Sequence, residues 1–286
     1  MAKADELQHA PAEEFWERFN AVMGGPDGLM TYRYLGTYSD LESGGREGGL
    51  RIRRDMRNPS GGLLAAPLGI ALADVGGVVG DAIGVPAPVH TALHVLDPGR
   101  DVREIRVRAE GDGYSGRRLS FGGTALVLDA DHPDRVLAVT EGMGVQLAAA
   151  PAGYQYVDPG PGVPDSPELP PLHEAFGARR RGDGFELPEL TQRIGSTSGS
   201  LHHGPIQIVL ETAAFELATA AAGTDQLQIE DWSVMYMQAG KIGPFVTSGA
   251  VFTGDRDRIL ARVKLSDEGN VGRTVSSAVA VFRRVD

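Results

Sequence analysis

Apolar positions alternate between two periods along this chain, and the switch between them outlines its elements. Phe15, Trp16, Phe19, Val22 and Met23 recur at helical spacing and predict an amphipathic helix over 12–23, ended by Gly24, Gly25 and Pro26. Short strands are expected around Met30–Tyr38 and Gly49–Met56. A turn-rich Asn58-Pro-Ser-Gly-Gly62 then leads into Leu63–Val79, almost free of polar residues except Asp74, which predicts a buried helix. Strand-like runs follow at Val89–Leu96, Val102–Glu110, Arg118–Asp129 and Val136–Leu147, with turn signals at Pro98-Gly99, Gly111–Gly113 and Asp131–Asp134.

Seven prolines between 151 and 171 exclude a central strand or a long helix and predict an extended linker. Beyond it the order repeats. A polar turn, Gly195–Ser200, leads through His202-His203-Gly204-Pro205 to a helix from about Ile206 to Ala222, ended by Gly223. Strand runs follow at Leu227–Gln238, Phe245–Thr253, Arg258–Leu265 and Thr274–Val285, with turns at Gly240, Gly254-Asp255 and Asp267–Asn270. Each half therefore reads as a glycine-bearing turn, a helix and four strands, a repeat of pattern more than of letters. A helix of about 17 residues is about 25 Å long, and strands joined by short turns can curl around it as an antiparallel sheet. The expected organisation is an N-terminal domain over 1–150, a linker over 151–171 and a C-terminal domain over 172–286.

Composition narrows the function classes. The chain has 286 residues, enough for two domains with a core each. Its 38 acidic and 27 basic residues give a net charge of −11, and no long basic block is present, so no nucleic-acid partner is expected. Cysteine is absent, which excludes disulfides and thiolate chemistry. The first residues, MAKADELQHAPAEEFWERF, hold no apolar signal core, and no run approaches the roughly 18 apolar residues of a membrane span, so a cytoplasmic location without a membrane partner is expected. His90, His94, His132 and His173 share no ligand spacing, and no metal site is expected.

The turn–helix–four-strand order resembles the hotdog fold, and the turn-helix sequences are similar to the phenylacetate-degradation-type acyl-CoA thioesterases. Members of that family carry Asn-x-x-Gly-x-x-His-Gly-Gly with an acidic residue nine positions after the histidine. Here Gly199 lies three residues before His202 and Glu211 nine after it, with Ser196 at the asparagine position. His203 and Gly204 then stand at the glycine positions; a shift of one residue makes His203-Gly204-Pro205 the equivalent instead. In the first half Asn58 and Gly61 match, but Leu64 stands where the histidine belongs; alternatively Ser60-Gly61-Gly62 substitutes for His-Gly-Gly, with Asp74 further along.

The resemblance implies an α+β fold of two hotdog domains in one chain, each a long central helix wrapped by an antiparallel sheet. It implies sites between the units, an acyl-CoA or related thioester as substrate, and no cofactor. Thioester hydrolysis needs donors for the carbonyl oxygen, which a helix N-terminus supplies, and a carboxylate to activate water or to attack. The catalytic candidates are Asp74, Glu211, His202 and His203; the substrate-binding candidates are Asn58, Ser60, Gly61, Gly62 and Gly204. Two pairings follow from the family geometry. One joins the His202–Gly204 turn to Asp74 and is preferred because it keeps a histidine. The other joins the Ser60–Gly62 turn to Glu211. The ordinary alternatives are a capping or ion-pairing Asp74, a solvated Glu211, histidines that only cap a helix, and plain turn glycines. Arg179–Arg181 either reaches coenzyme A phosphates or is a solvated charge run. A hotdog-type hydratase or dehydratase, and a non-catalytic acyl-binding protein, are the competing readings. Two units in one chain can stand as a monomer, and further association as a homo-oligomer stays open.

Overall fold

The computed structural model describes residues 6–25, 27–43, 46–115, 120–153, 157–253 and 257–285, with side chains of 76–83, 111–115, 120 and 121 not described. The start of the strand expected from Arg118 and the turn at Gly254-Asp255 lie outside these residues. Near the N-terminus, α1 (Phe15–Gly24) buries Phe15, Phe19 and Val22. Phe15 and Phe19 form a small cluster with Leu7 and Val85. The Trp16 indole donates to the carbonyls of Pro151 and Ala152, each at 3.1 Å.

The strand expected at Met30–Tyr38 is instead a helix, α2 (Met30–Leu35), followed by a short strand β1 (Tyr38–Asp40). Thr31 and Tyr32 favour strands intrinsically, but helical geometry buries Thr31, Tyr32 and Leu35 together, and packing overrides propensity. Gly36 ends α2 at φ +77°, its N–H bonded to Tyr32 O. The second expected strand shortens to β2 (Glu47–Arg51), followed by a single tight turn at Arg54–Met56. Arg53 explains the break. Its guanidinium donates to the carbonyls of Tyr34 and Leu35 at 3.1 Å, at the C-terminal end of α2, and pairs with the buried Asp55 carboxylate at 3.0 Å. Arg53→Ala leaves that carboxylate only the Tyr34 hydroxyl at 3.3 Å, and a loss of about 3–5 kcal/mol is expected from chemical denaturation midpoints.

Two long helices follow their turns: α3 (Ala65–Ile83) and, later, α5 (His203–Ala222). Between them come β3 (Gly84–Val95), β4 (Glu104–Ser115), β5 (Ser120–Asp129), β6 (Val136–Ala149), the one-turn α4 (Leu172–Ala175), β7 (Arg179–Arg181) and β8 (Gly184–Leu187). After α5 come β9 (Leu227–Tyr236), β10 (Phe245–Thr253), β11 (Arg258–Asp267) and β12 (Arg273–Arg284). The turn expected at Gly111–Gly113 lies within β4, where the register to β5 shifts between Glu110 and Tyr114; the glycines accommodate an irregularity in place of a reversal.

All strands join one antiparallel sheet in the order β1-β2-β4-β5-β6-β3-β9-β12-β11-β10-β8-β7. Strands before residue 150 fill one side and strands after 178 the other. They meet at β3 and β9, where Leu93 faces Trp232 and Thr91 faces Val234. α3 packs on β2, β3 and β6, α5 packs on β10, β11 and β12, and the two helices touch each other. Leu68, Ile70 and Ala71 from α3, and Ile208, Val209 and Leu210 from α5, share one continuous core with both sides of the sheet.

The described residues of the proline-rich stretch carry no regular element and run from α1, where Trp16 holds Pro151 and Ala152, past α2, where Val163 N–H donates to Tyr34 O, to the turn after β2, where Asp165 pairs with Arg54. The arginine run on β7 is matched side chain by side chain, Arg179 with Glu186, Arg180 with Glu216 and Arg181 with Glu268. No helix among the described residues is long and apolar enough to cross a membrane.

Candidate active site

Both long helices begin in the same way. Each carries proline as its third residue, Pro67 in α3 and Pro205 in α5, where a first-turn N–H has no intrahelical partner to lose. The donors ahead of each proline are treated differently.

At α3, the N–H groups of Ala65 and Ala66 both point at the Glu211 carboxylate, to Oε1 and Oε2, each at 2.7 Å. Glu211 comes from the middle of α5, so a side chain from the second half of the sequence closes the helix of the first. Burial pushes the Glu211 carboxyl up to about 7, against the two N–H bonds, which favour its charge. The preceding turn is locked in place. Asn58 Oδ1 accepts from Gly62 N–H at 3.0 Å, Asn58 Nδ2 donates to Leu227 O at 3.1 Å, and Ser60 Oγ lies 2.8 Å from Asn58 Oδ1 and 3.0 Å from Leu227 O. Gly61, at φ +85°, takes the left-handed conformation that this reversal requires. Asn58, Ser60, Gly61 and Gly62 thus tie the start of α3 to the start of β9.

At α5 the arrangement is closed by α2. His202 is the N-cap, its Nδ1 accepting from Gly204 N–H at 3.2 Å with Thr31 Oγ1 3.1 Å away. His203 Nε2 is joined to the Tyr32 hydroxyl at 3.1 Å. The two imidazoles pack edge to face, with centroids 3.9 Å apart. Burial lowers both, His203 to about 4 and His202 well below its ordinary range with a further push from His203, so both are neutral near pH 7. Gly204 is pressed against α2: a Cβ there would lie 2.3 Å from Thr31 Cγ2. The space beside Gly204 is therefore filled by Thr31.

Asp74 is buried in α3 under β1. The Thr37 and Ser39 hydroxyls favour its charge, but burial acts more strongly and raises it to about 7. No hydrogen bond joins Asp74 to His202 or His203. Counted from the first residue of each helix, the α3 equivalent of Glu211 is Ala73, which has no carboxyl to offer the α5 terminus. The structure thus brings Glu211 to the turn of the first half, whereas His202, His203 and Gly204 meet α2, and Asp74 meets the β1 segment.

Sequence reasoning missed Ala65 and Ala66, whose contribution is backbone, and Thr31 and Tyr32, hidden by the misread α2. It also missed Gln207, one turn before Glu211, which accepts from Trp232 Nε1 at 3.3 Å.

The fold has solved counterparts. A conserved protein of unknown function with hot dog fold from Alicyclobacillus acidocaldarius superposes with TM-score 0.57 at 8% identity, covering 90% of this chain and 97% of that one. The fold is the hotdog fold. Acyl-CoA thioesterase II from Mycobacterium marinum matches this hotdog arrangement with TM-score 0.56 at 13% identity, covering 89% and 96%. The tesB protein of Mycobacterium avium subspecies paratuberculosis matches with TM-score 0.56 at 11% identity, covering 85% and 94%. Neither a protein-family model nor a curated protein matches the sequence.

Within the hotdog fold the arrangement at α3 can do one kind of chemistry directly. A buried carboxylate that titrates near 7 can take a proton at neutral pH, and two parallel N–H groups at a helix N-terminus can hold an oxyanion.

Proposed function

We propose that the chain is an acyl-thioester hydrolase acting on an acyl-CoA or a related thioester. On this reading residues 1–150 and 172–286 are two hotdog units, with 151–171 linking them, and the working site lies where they meet. The observation that carries the reading is the Glu211 carboxylate held by the N–H groups of Ala65 and Ala66 across the α3–α5 contact. Thioesterases among the fold's solved counterparts support it. Of the two pairings open in the sequence, this reading takes the Ser60–Gly62 turn with Glu211 in place of the His202–Gly204 turn with Asp74.

In the free protein Glu211 occupies the donors that a thioester carbonyl needs. A carbonyl oxygen entering the α3 terminus displaces at least one carboxylate oxygen. The carboxylate then loses a bond that favoured its charge and becomes a stronger base. Water attacks the carbonyl carbon, its proton passes to Glu211, and the developing oxyanion is held by Ala65 and Ala66 N–H with the α3 dipole behind them. Collapse of the tetrahedral intermediate breaks the C–S bond, and the thiolate leaves with the proton from Glu211. The products are a carboxylic acid and a thiol.

The test is thiol release from short, medium, long and aromatic acyl-CoAs by the full chain, run beside an enoyl-CoA monitored by absorbance. Release from at least one class is expected. Loss of enoyl absorbance without any thiol release moves the assignment to a hydratase. Ligand-dependent thermal stabilisation with neither reaction moves it to an acyl-binding protein.

A further inference from the structure

Gln207 lies one turn before Glu211, so both side chains stand on the face of α5 that meets α3. Glu211 meets the first turn of α3. Gln207 meets the next: a Cβ on Gly69 would lie 2.3 Å from Gln207 Oε1. Gln207 is wholly buried. Its orientation is set by Trp232, whose indole N–H can only donate and does so to Oε1 at 3.3 Å. The amide nitrogen therefore faces away from Trp232, and among the described residues it finds no acceptor. The Tyr236 hydroxyl, on the same face of β9 as Trp232, is also buried without a completed hydrogen bond. Gln207 and Thr91 both bear on this phenol, which places the three polar groups together.

A hydrocarbon chain laid against such a cluster leaves its donors unmet, whereas an oxygen atom there satisfies them. The separation of one helical turn, about 5–6 Å between Cβ atoms, suits a thioester carbonyl at Glu211 and an oxygen on the third or fourth acyl carbon at Gln207. We infer that the acyl group carries a hydroxyl or keto oxygen near the thioester, and that the Gln207 amide, together with Tyr236, binds that oxygen. The inference rests on the thioester-hydrolase reading and names the substrate class of the same site.

The test compares 3-hydroxyoctanoyl-CoA and 3-oxooctanoyl-CoA with octanoyl-CoA. The ratio of kcat/KM values is measured by thiol release for the full chain, Gln207→Leu and Tyr236→Phe. The native chain is expected to favour at least one oxygenated thioester by about ten-fold or more. That ratio falls towards one in Gln207→Leu and part of the way in Tyr236→Phe. Gln207→Leu also removes the acceptor of the Trp232 indole, so Tyr236→Phe, which removes a hydroxyl without a completed hydrogen bond, keeps the test open if the first variant does not fold. Calorimetric binding of the three thioesters to Glu211→Gln, alone and combined with Tyr236→Phe, reads the same preference without turnover. An octanoyl preference in the native chain, or an oxygen preference that neither variant reduces, overturns the inference. If no thiol is released from these three or from the short, medium, long and aromatic acyl-CoAs, but binding prefers the oxygenated thioesters through Tyr236, the hydrolase reading fails and the assignment of Gln207 and Tyr236 stands. Absence of that binding preference as well overturns both.

Discussion

Glu211→Gln is expected to lower kcat/KM for thiol release by a factor on the order of 10²–10⁴, the usual contribution of a positioned general base. The substitution keeps the size of the side chain and one oxygen for the α3 amides, so the loss reports proton transfer more than packing. A pH profile sharpens the test. The carboxyl sits at about 7 in the free protein because burial outweighs its two N–H bonds. Only the ionised form accepts a proton, so native kcat/KM rises through about pH 7 and levels above it. The residual activity of Glu211→Gln lacks that rise. Asp74→Asn keeps it, since Asp74 lies among Thr37 and Ser39 and away from the α3 terminus. A rise retained in Glu211→Gln and lost in Asp74→Asn would transfer the role of base to Asp74.

The second large effect is on stability. Asp74 is raised from an ordinary 3.8 to about 7 by burial. A carboxyl whose folded value is raised holds its proton more tightly in the folded chain. Its contribution is therefore intact below about pH 4 and is lost as pH rises through about 7. A shift of about three pH units at about 1.4 kcal/mol each sets an upper figure of about 4 kcal/mol at pH 8. Asp74→Asn carries no such cost, and a gain of about 2–4 kcal/mol over the parent is expected at pH 8, shrinking towards zero by pH 4. The comparison has to be a difference between variant and parent. Glu211 acts in the same direction, but His203, lowered to about 4, and His202, lowered further, act oppositely, losing stability as pH falls below about 6.5. Denaturation midpoints at pH 8, 6 and 4 check the sign; an Asn variant no more stable than the parent at pH 8 would sink it.

Much of this architecture is legible in the chain because its two long helices are predominantly apolar and its strands are punctuated by glycine and proline. α5 nonetheless begins at His203, three residues before its expected start at Ile206, since Pro205 in a first turn costs no bond. α3 ends at Ile83, beyond the expected Val79. The α2 segment was not legible: the buried side of the Met30–Leu35 helix meets the α5 terminus and its end is held by Arg53, contacts that lie far off in sequence. That one error hid what fills the space beside Gly204. The spacing of Glu211 from the histidines was visible. Its destination was not, because the partners are backbone amides of two alanines, and which helix they start is decided by the α3–α5 contact.

The two ends of the sheet have a consequence for the chain's behaviour at high concentration. An unpaired edge strand is a template on which other chains can add, and long flat edges polymerise. Here the outermost strands, β1 and β7, are three residues each. β7 consists of three exposed arginines that face Glu186, Glu216 and Glu268. At these two outermost strands an incoming chain therefore finds a ladder of only three residues, and at β7 three arginines already engaged by carboxylates.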